Sequence, residues 1–528
     1  MQKPESRTAP DLLDELAVRQ GTREFIVDGE RRFTYGQFQV EVVAYAKGLL
    51  AIGLKRGDRL AILMDNRIEW LTANFAAMSI GVEVVGLNCW ASAPELSYQL
   101  EHAKVCCLVA SEKVRDRNLD DLLTQIRQQD RIIRLDHIIC TAPIENTILF
   151  SSLSRRGSEI ACKTFEAARR AVSPEDIACI LYTSGSTATP KGVPLPQSGM
   201  IENMWRIGER MHLTPDDRLW LAVSLFWSFG CVNALFSLMT HGGTIVLQRD
   251  FDAGDALSLI EQERCSVFYG TPNMSLTLSE HPARATCDLS SLRTGITIGT
   301  PDQVQRIIDL GVEGICNVYG LTEAYGNSAV GDAHDPLETR LNNCGRPLDD
   351  VEMRIVDPET RQLLPAGKTG EITIRGFLTP GYLDDPDRTE ESFDADGFLL
   401  TGDLGLLDEG GYLTFRGRLK EMVKTGGINV APAEVEAVLI KHADVDEVYV
   451  TGIPDPRLDE TLAAVIIPKP GAKPSETDLV AYCRSQLAAY KVPRIYRFID
   501  RSALPLTSTG KLQKNRLPEF FVGRSTQS

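Results

Sequence analysis

Between Tyr182 and Gly192 the chain reads Tyr182-Thr183-Ser184-Gly185-Ser186-Thr187-Ala188-Thr189-Pro190-Lys191-Gly192. A segment so rich in Ser, Thr and Gly, closed by a lysine, offers hydroxyls, backbone N–H groups and one cation to phosphate oxygens. It is not a Walker A sequence, because Gly185 and Lys191 do not fit that spacing. On composition alone the competing reading is a solvated surface turn. Four later segments also concentrate acids, hydroxyls, lysines and glycines. They are Tyr319-Gly320-Leu321-Thr322-Glu323, Thr401-Gly402-Asp403, Gly417 to Glu421 running into Lys424-Thr425-Gly426-Gly427, and Pro505-Leu506-Thr507-Ser508-Thr509-Gly510-Lys511. Taken singly, Lys511 reads as a surface lysine and Tyr319 as a half-buried core tyrosine.

Positioning such segments takes a large scaffold. The chain has 528 residues, 43% hydrophobic and 24% charged, the profile of a globular protein able to bury a sizeable core. Its formal net charge of −16 argues against nucleic acid as a partner, so an anionic substrate needs a local cationic site. Met1 to Ser6 lacks the apolar core of a signal peptide, and the longest apolar stretch, Phe229 to Met239, is too short to span a bilayer. The twelve cysteines form no C-x-x-C pair, which predicts reduced thiols in a cytoplasmic protein. The seven histidines show no metal-binding spacing, so no structural metal is expected.

Short β-rich runs such as Arg59 to Met64, Gly243 to Leu247 and Cys265 to Tyr269 alternate with helical patterns through the first four-fifths of the chain. Ile177 to Leu181 is a buried-strand run leading into the Ser/Thr/Gly segment. That alternation predicts an α/β fold with layered, largely parallel sheets. From about 348 to 417 short strands and turns predict a small β-rich subdomain. Beyond it the pattern is α+β, with a helix from Ala431 to His442, a capping box at Ser475-Glu476-Thr477-Asp478 opening a helix towards Tyr490, and strands at Glu447 to Gly452 and Leu462 to Pro468. The expected division is an N-terminal domain over 1–419 and a C-terminal domain over 420–528.

These five segments, in this order, resemble the signatures of the adenylate-forming superfamily, which includes acyl-CoA synthetases, peptide-synthetase adenylation domains and firefly luciferases. The similarity runs from Phe33-Thr34-Tyr35 to Lys511 and is nearest to acyl-CoA synthetases. It implies an ATP-dependent enzyme that makes an acyl-adenylate, releases pyrophosphate and passes the acyl group to coenzyme A, with Mg²⁺ as cofactor. Lys511 matches the lysine that bridges carboxylate and α-phosphate, Thr322 an α-phosphate contact, and Glu323 the Mg²⁺ ligand, with the Thr187 hydroxyl beside it. Thr183, Ser184, Gly185, Ser186, Thr187 and Lys191 match the phosphate segment. Gly299, Tyr319 and Gly320 match the adenine side, and Asp403 and Arg418 the ribose contacts. Lys420 matches the hinge of a mobile C-terminal domain, whose Lys424, Gly426, Gly427 and Asn429 would serve thioester formation; the absent glycine side chains would admit a pantetheine arm.

Three positions depart from the family pattern. Ala188 replaces a usual glycine, Gln197 a usual histidine, and Trp227 stands at the acyl pocket where many members have His and amino-acid-activating ones an Asp. A tryptophan cannot pair an ammonium group, so amino-acid substrates are disfavoured. Trp227, Phe229 and Tyr325 are expected to line a pocket for a medium-sized apolar carboxylic acid. The alternative acceptor is the phosphopantetheine of an acyl carrier protein; the lack of a carrier segment after Lys511 favours free CoA. A non-catalytic nucleotide binder is disfavoured because Lys511, Glu323 and Asp403 are all present. A monomer or homodimer is expected.

Overall fold

A computed structural model describes residues 2–183, 190–419, 423–430, 432–505, 512 and 514–522, without side-chain placement at 417, 418, 429, 433, 437 and 515. The chain divides into two compact units. The first combines 1–89, 99–182 and 192–417. The second combines 418–528 with two short segments, 90–98 and 183–191, that fall within the expected N-terminal domain of 1–419. Sequence distance explains the difference: a boundary drawn from local texture cannot register a piece as short as 90–98 that packs with chain hundreds of residues away.

The first unit contains a nine-stranded sheet. Its six central strands, Gly314–Tyr319, Thr294–Thr297, Val267–Tyr269, Arg218–Leu221, Thr244–Leu247 and Glu24–Asp28, run parallel, with antiparallel strands at both edges. A seven-stranded sheet carries parallel strands Ile177–Thr183, Glu83–Gly86, Arg59–Leu63, Cys107–Ala110, His137–Cys140 and Ile148–Leu149, with Lys191–Pro196 beside Ile177–Thr183. Strands buried on both faces read as apolar runs, which is why they were visible in the sequence. The helix Ile68–Met78 is buried on every side except at Glu69 and the helix Gln197–Arg210 over most of its surface, so both are interior elements. Within 348–417, strands Glu352–Val356, Gly370–Arg375, Leu399–Leu407 and Leu413–Arg418 form a four-stranded sheet whose first three strands pair antiparallel.

The second unit has its own core around Val435, Leu439, Val450, Leu462, Ile466, Leu479 and Tyr496. Its sheet joins Ile428–Val430, Val423–Thr425, Asp459–Pro468 and Val445–Asp455, with Ile495–Phe498 parallel to Asp459–Pro468. Ser475 caps the helix Glu476–Gln486 by accepting from the Asp478 N–H at 3.1 Å, and the helix stops four residues before Tyr490.

Candidate active site

Strand Gly314–Tyr319 ends in a loop that folds back on itself. Ala324 and Gly326 N–H groups donate to Leu321 O, Tyr325 N–H to Thr322 O, and Ser328 N–H to Tyr319 O, all at 2.9–3.0 Å. The result is a single 3₁₀ turn, Thr322–Ala324, followed by Tyr325 in the left-handed region at φ 59°. Two glycines make this reversal possible. A Cβ on Gly320 would lie 2.1 Å from Gly326 O, and Gly326 itself sits at φ +98°.

The loop presents Thr322 and Glu323. Glu323 is buried, its backbone carbonyl accepts from Thr379 N–H at 2.7 Å, and its Oε1 accepts from the Tyr382 hydroxyl at 2.8 Å. Burial and the adjacent Glu323 push the Tyr382 phenol well up, so it stays protonated and keeps donating. Tyr382 was not anticipated from the sequence. Tyr319 stacks on Phe415, ring centroids 5.9 Å apart, and donates its hydroxyl to Asp403 Oδ2 at 2.9 Å. Asp403 is 3% exposed and follows Gly402, whose N–H donates to Glu371 Oε1. Gly299 is held from both sides by the Asn317 side chain, which accepts from its N–H at 3.2 Å and donates to its carbonyl at 3.1 Å. Tyr319, Asp403 and Thr322–Glu323 therefore belong to one connected region of the first unit.

The apolar segment lies against this loop. Trp227 caps a π-helical turn, Ser228–Ala234, and Ser228 Oγ is 3.4 Å from Thr322 Oγ1. Trp227 and Phe229 are half-buried; Trp227 meets Phe226 edge-on at 5.2 Å and Phe229 packs on Tyr269 at 5.1 Å. Tyr325 differs from expectation. It is 2% exposed, its hydroxyl donates to Pro196 O, and its ring occupies the space a Gly199 side chain would need, so the phenol faces the interior against the helix Gln197–Arg210. Gln197 is fully buried, accepting from Ala9 N–H at 2.9 Å and donating to Met78 O; it fastens the N-terminal helix to the interior.

Of the Ser/Thr/Gly segment expected to meet phosphate, Thr183 ends its strand with a buried hydroxyl and Lys191 begins the next, half-buried. Ser184, Gly185, Ser186, Thr187 and Ala188 lie outside the described residues, as do Lys420 and Lys511, and the side chains of Arg418 and Asn429 are not described. The buried Glu323 carboxylate is a hard oxygen donor of the kind that suits Mg²⁺; its expected partner Thr187 lies outside the described residues.

In the second unit, Val423–Thr425 pairs with Ile428–Val430 so that Gly426 and Gly427 form a two-residue turn with φ of +58° and +79°. Both being positive is the type I′ requirement. The two glycines are thus demanded by the hairpin backbone itself, whatever passes beside them. Another unanticipated group is Lys491, which donates to Glu95 Oε1 at 2.7 Å and Glu434 Oε1 at 2.6 Å, all three buried. Burial lowers its pKa, but Tyr490, Glu434 and Glu95 raise it further, so the ammonium persists. Trp90 against Tyr490 and Ser92 Oγ on Gln486 O fasten the same segment.

In the first unit, ligand atoms of His212, Asp332 and His334 lie within 4.8 Å of one another. The two imidazoles stack face to face at 3.7 Å, which sets their in-plane lone pairs parallel instead of converging on one ion.

A sequence model described as AMP-binding enzyme matches residues 13–383, and one described as AMP-binding enzyme C-terminal domain matches 434–511. The chain is 34% identical to the Bacillus subtilis (strain 168) protein YngI, named as an acyl-CoA synthetase, over 97% of this chain and 96% of that one. It is 31% identical to the mitochondrial medium-chain acyl-CoA ligase ACSF2 of Danio rerio, over 98% and 88% of the two chains. Among solved structures, the amide bond synthetase McbA from Marinactinospora thermotolerans superposes with a TM-score of 0.85 at 29% identity, covering 97% and 99%.

Proposed function

The chain belongs to the AMP-binding enzyme family, among the acyl-CoA synthetases and ligases, and from that premise we propose that it activates a medium-sized apolar carboxylic acid as its acyl-adenylate and transfers the acyl group to coenzyme A. The observation that carries the substrate class is the contact of the Trp227–Phe229 segment with the Thr322–Glu323 loop, through Ser228 and Thr322 at 3.4 Å. Aromatic side chains beside the phosphate-side loop would receive the acyl group where its carboxylate must react.

In the first step a carboxylate oxygen attacks the α-phosphorus and the bond to pyrophosphate breaks, taking its electron pair with it. Two anions must meet, so the protein's work is positioning and charge neutralisation. Asp403, aligned by Tyr319, would accept from the ribose hydroxyls. Thr322 would donate to the α-phosphate, and Lys511, assigned by family resemblance, would bridge the two reacting anions. Glu323, held by Tyr382, and Thr187 would hold Mg²⁺, which when bound neutralises the leaving pyrophosphate. In the second step the thiol sulfur attacks the acyl carbonyl, AMP leaves with the bonding electrons, and the thiol proton passes to solvent. Family resemblance assigns that step to the segment around Lys424, Gly426, Gly427 and Asn429, with Lys420 as hinge.

Among the described residues no helix is long and apolar enough to cross a membrane. All twelve cysteines are free, which supports a reducing, cytoplasmic setting. The test is a pyrophosphate-release screen over carboxylic acids of graded length and ring content, with no acceptor, with CoA, with a carrier-protein phosphopantetheine and with a simple amine. Release stimulated by CoA, and strongest with medium-sized apolar acids, is expected. Preference for acetate or amino acids would overturn the substrate class, and preference for the carrier or amine would overturn the acceptor.

A further inference from the structure

Asn233 lies in the π-helical turn Ser228–Ala234 and is 0% exposed. A buried amide must satisfy its donors and acceptor, and this one does so across the turn-loop junction. Its Nδ2 donates to Tyr325 O at 2.5 Å and reaches Ser228 O at 3.4 Å, while its Oδ1 accepts from Asn327 Nδ2 at 2.5 Å. Asn327 O in turn accepts from Asn203 Nδ2 at 3.0 Å, on the interior helix Gln197–Arg210. The fit leaves no slack: a Cβ on Gly326 would lie 2.2 Å from Asn233 Nδ2. Tyr325, whose carbonyl Asn233 holds, is the left-handed residue that closes the 3₁₀ turn carrying Thr322 and Glu323.

Asn233 thus grips, from one buried side chain, both the turn whose other end carries Trp227 and Phe229 and the loop that carries the phosphate-side groups. Single-turn π-helices are strained insertions that persist where something over-determines them, and they recur at functional sites. Resting on the function proposed above, we propose that Asn233 is a positioning and specificity-determining residue: it sets the register between the acyl-recognising aromatic segment and the Thr322–Glu323 loop, and so selects the acid whose length brings its carboxylate to the reacting position. Asn327 and Asn203 extend the same grip into the interior helix.

The experiment measures pyrophosphate release, as kcat and KM over a C4 to C16 acid series, for wild type, Asn233→Ala, Asn233→Asp and Asn327→Ala. Asn233→Ala should lower kcat about 10- to 100-fold for the preferred acid and flatten the length profile, with KM for ATP changed less than about 2-fold, the loss expected when one or two buried hydrogen bonds go unmade. Asn327→Ala should reproduce the flattening in weaker form and serves if Asn233→Ala fails to fold. At neutral pH Asn233→Asp should be worse than alanine, because an ionised carboxylate faces the Tyr325 carbonyl and has no donor for it. Its activity relative to wild type should rise as pH falls, when the protonated carboxyl can donate there, while the alanine variant's ratio stays flat. Folded variants with an unchanged length profile, or an equal loss for all acids with a matching rise in KM for ATP, would overturn the inference. A wild type that releases no pyrophosphate with any acid would overturn the proposed function and this inference together.

Discussion

The Tyr382 hydroxyl donates to Glu323 Oε1 at 2.8 Å across 59 residues of chain, inside a buried pair that also takes the Glu323 carbonyl into a hydrogen bond with Thr379. The carboxylate is therefore aimed before any ligand arrives. Hydrogen bonds to charged groups contribute about 1.5–3 kcal/mol, which converts to roughly 10- to 100-fold in an equilibrium or rate. Tyr382→Phe should lower pyrophosphate release by that order and raise the Mg²⁺ concentration needed for half-maximal rate. A magnesium titration of both proteins checks it; an unshifted titration curve would show that Tyr382 only packs.

Trp227 should limit the length of the acyl group. Trp227→Ala opens apolar volume at the end of the π-helical turn, and each extra buried CH₂ is favoured by roughly 0.8 kcal/mol. The optimum in kcat/KM over a C4 to C16 series should move to longer acids while KM for ATP stays within about 2-fold. A profile superimposable on wild type would reduce Trp227 to a packing residue.

Lys491→Met would leave Glu95 and Glu434 buried beside each other without their shared cation. Removing one partner of a buried ion pair typically costs about 3–5 kcal/mol. Urea unfolding should show a loss of this size in the second unit's transition, and adding Glu95→Gln and Glu434→Gln should recover part of it. A triple variant no better than the single one would contradict this account.

Glu202 accepts from Lys3 at 2.6 Å and from Arg206 at 3.1 Å, with Arg7 3.2 Å away. Burial raises its pKa, but Lys3, Arg206 and Arg7 together hold the carboxyl below its ordinary value. A depressed folded pKa means the contribution is present above the ordinary carboxylate pKa, about 4.3, and is lost as pH falls through the folded value. The stability difference between wild type and Glu202→Gln should therefore be full at pH 7 and shrink below about pH 4. A difference that is constant from pH 7 to pH 3 would exclude the ion cluster as its source.

Gly427→Ala places a Cβ at φ +79° and should destabilise the second unit by about 1–2 kcal/mol. Asparagine tolerates that conformation, so Gly427→Asn should keep the hairpin while adding a side chain. If the thiol passes here, CoA-dependent turnover falls in Gly427→Asn and pyrophosphate release does not. Equal changes in both half-reactions would remove this turn from the thiol path.

What was legible beforehand was local. Parallel strands announced themselves as apolar runs, and the Tyr319–Glu323 and Thr401–Asp403 segments stood out because acids, hydroxyls and glycines fall within five residues of one another. Tyr382, Lys491 and Asn233 were missed for a shared reason: each acts on a partner 59 to 396 residues away, and no periodicity encodes that. The seven-residue π-turn Ser228–Ala234 was equally hidden, since its hydrogen bonds follow neither the helical nor the strand repeat. Gly426 and Gly427 were noticed, yet the backbone demand on them became visible only with their dihedral angles. His212 likewise is brought to Asp332 and His334, themselves two residues apart, only by the fold.

The second unit is assembled from three separate stretches of chain, and that governs how relatives can be recombined. Exchanging everything after Gly417 between two family members would look like a clean swap on a linear map. It would nevertheless carry Lys491, Tyr490 and Gln486 away from the Glu95, Trp90 and Ser92 with which they pack, handing a buried ammonium to whatever acid the other parent holds at that place. Chimeras should therefore be cut with residues 90–98 travelling alongside the C-terminal portion.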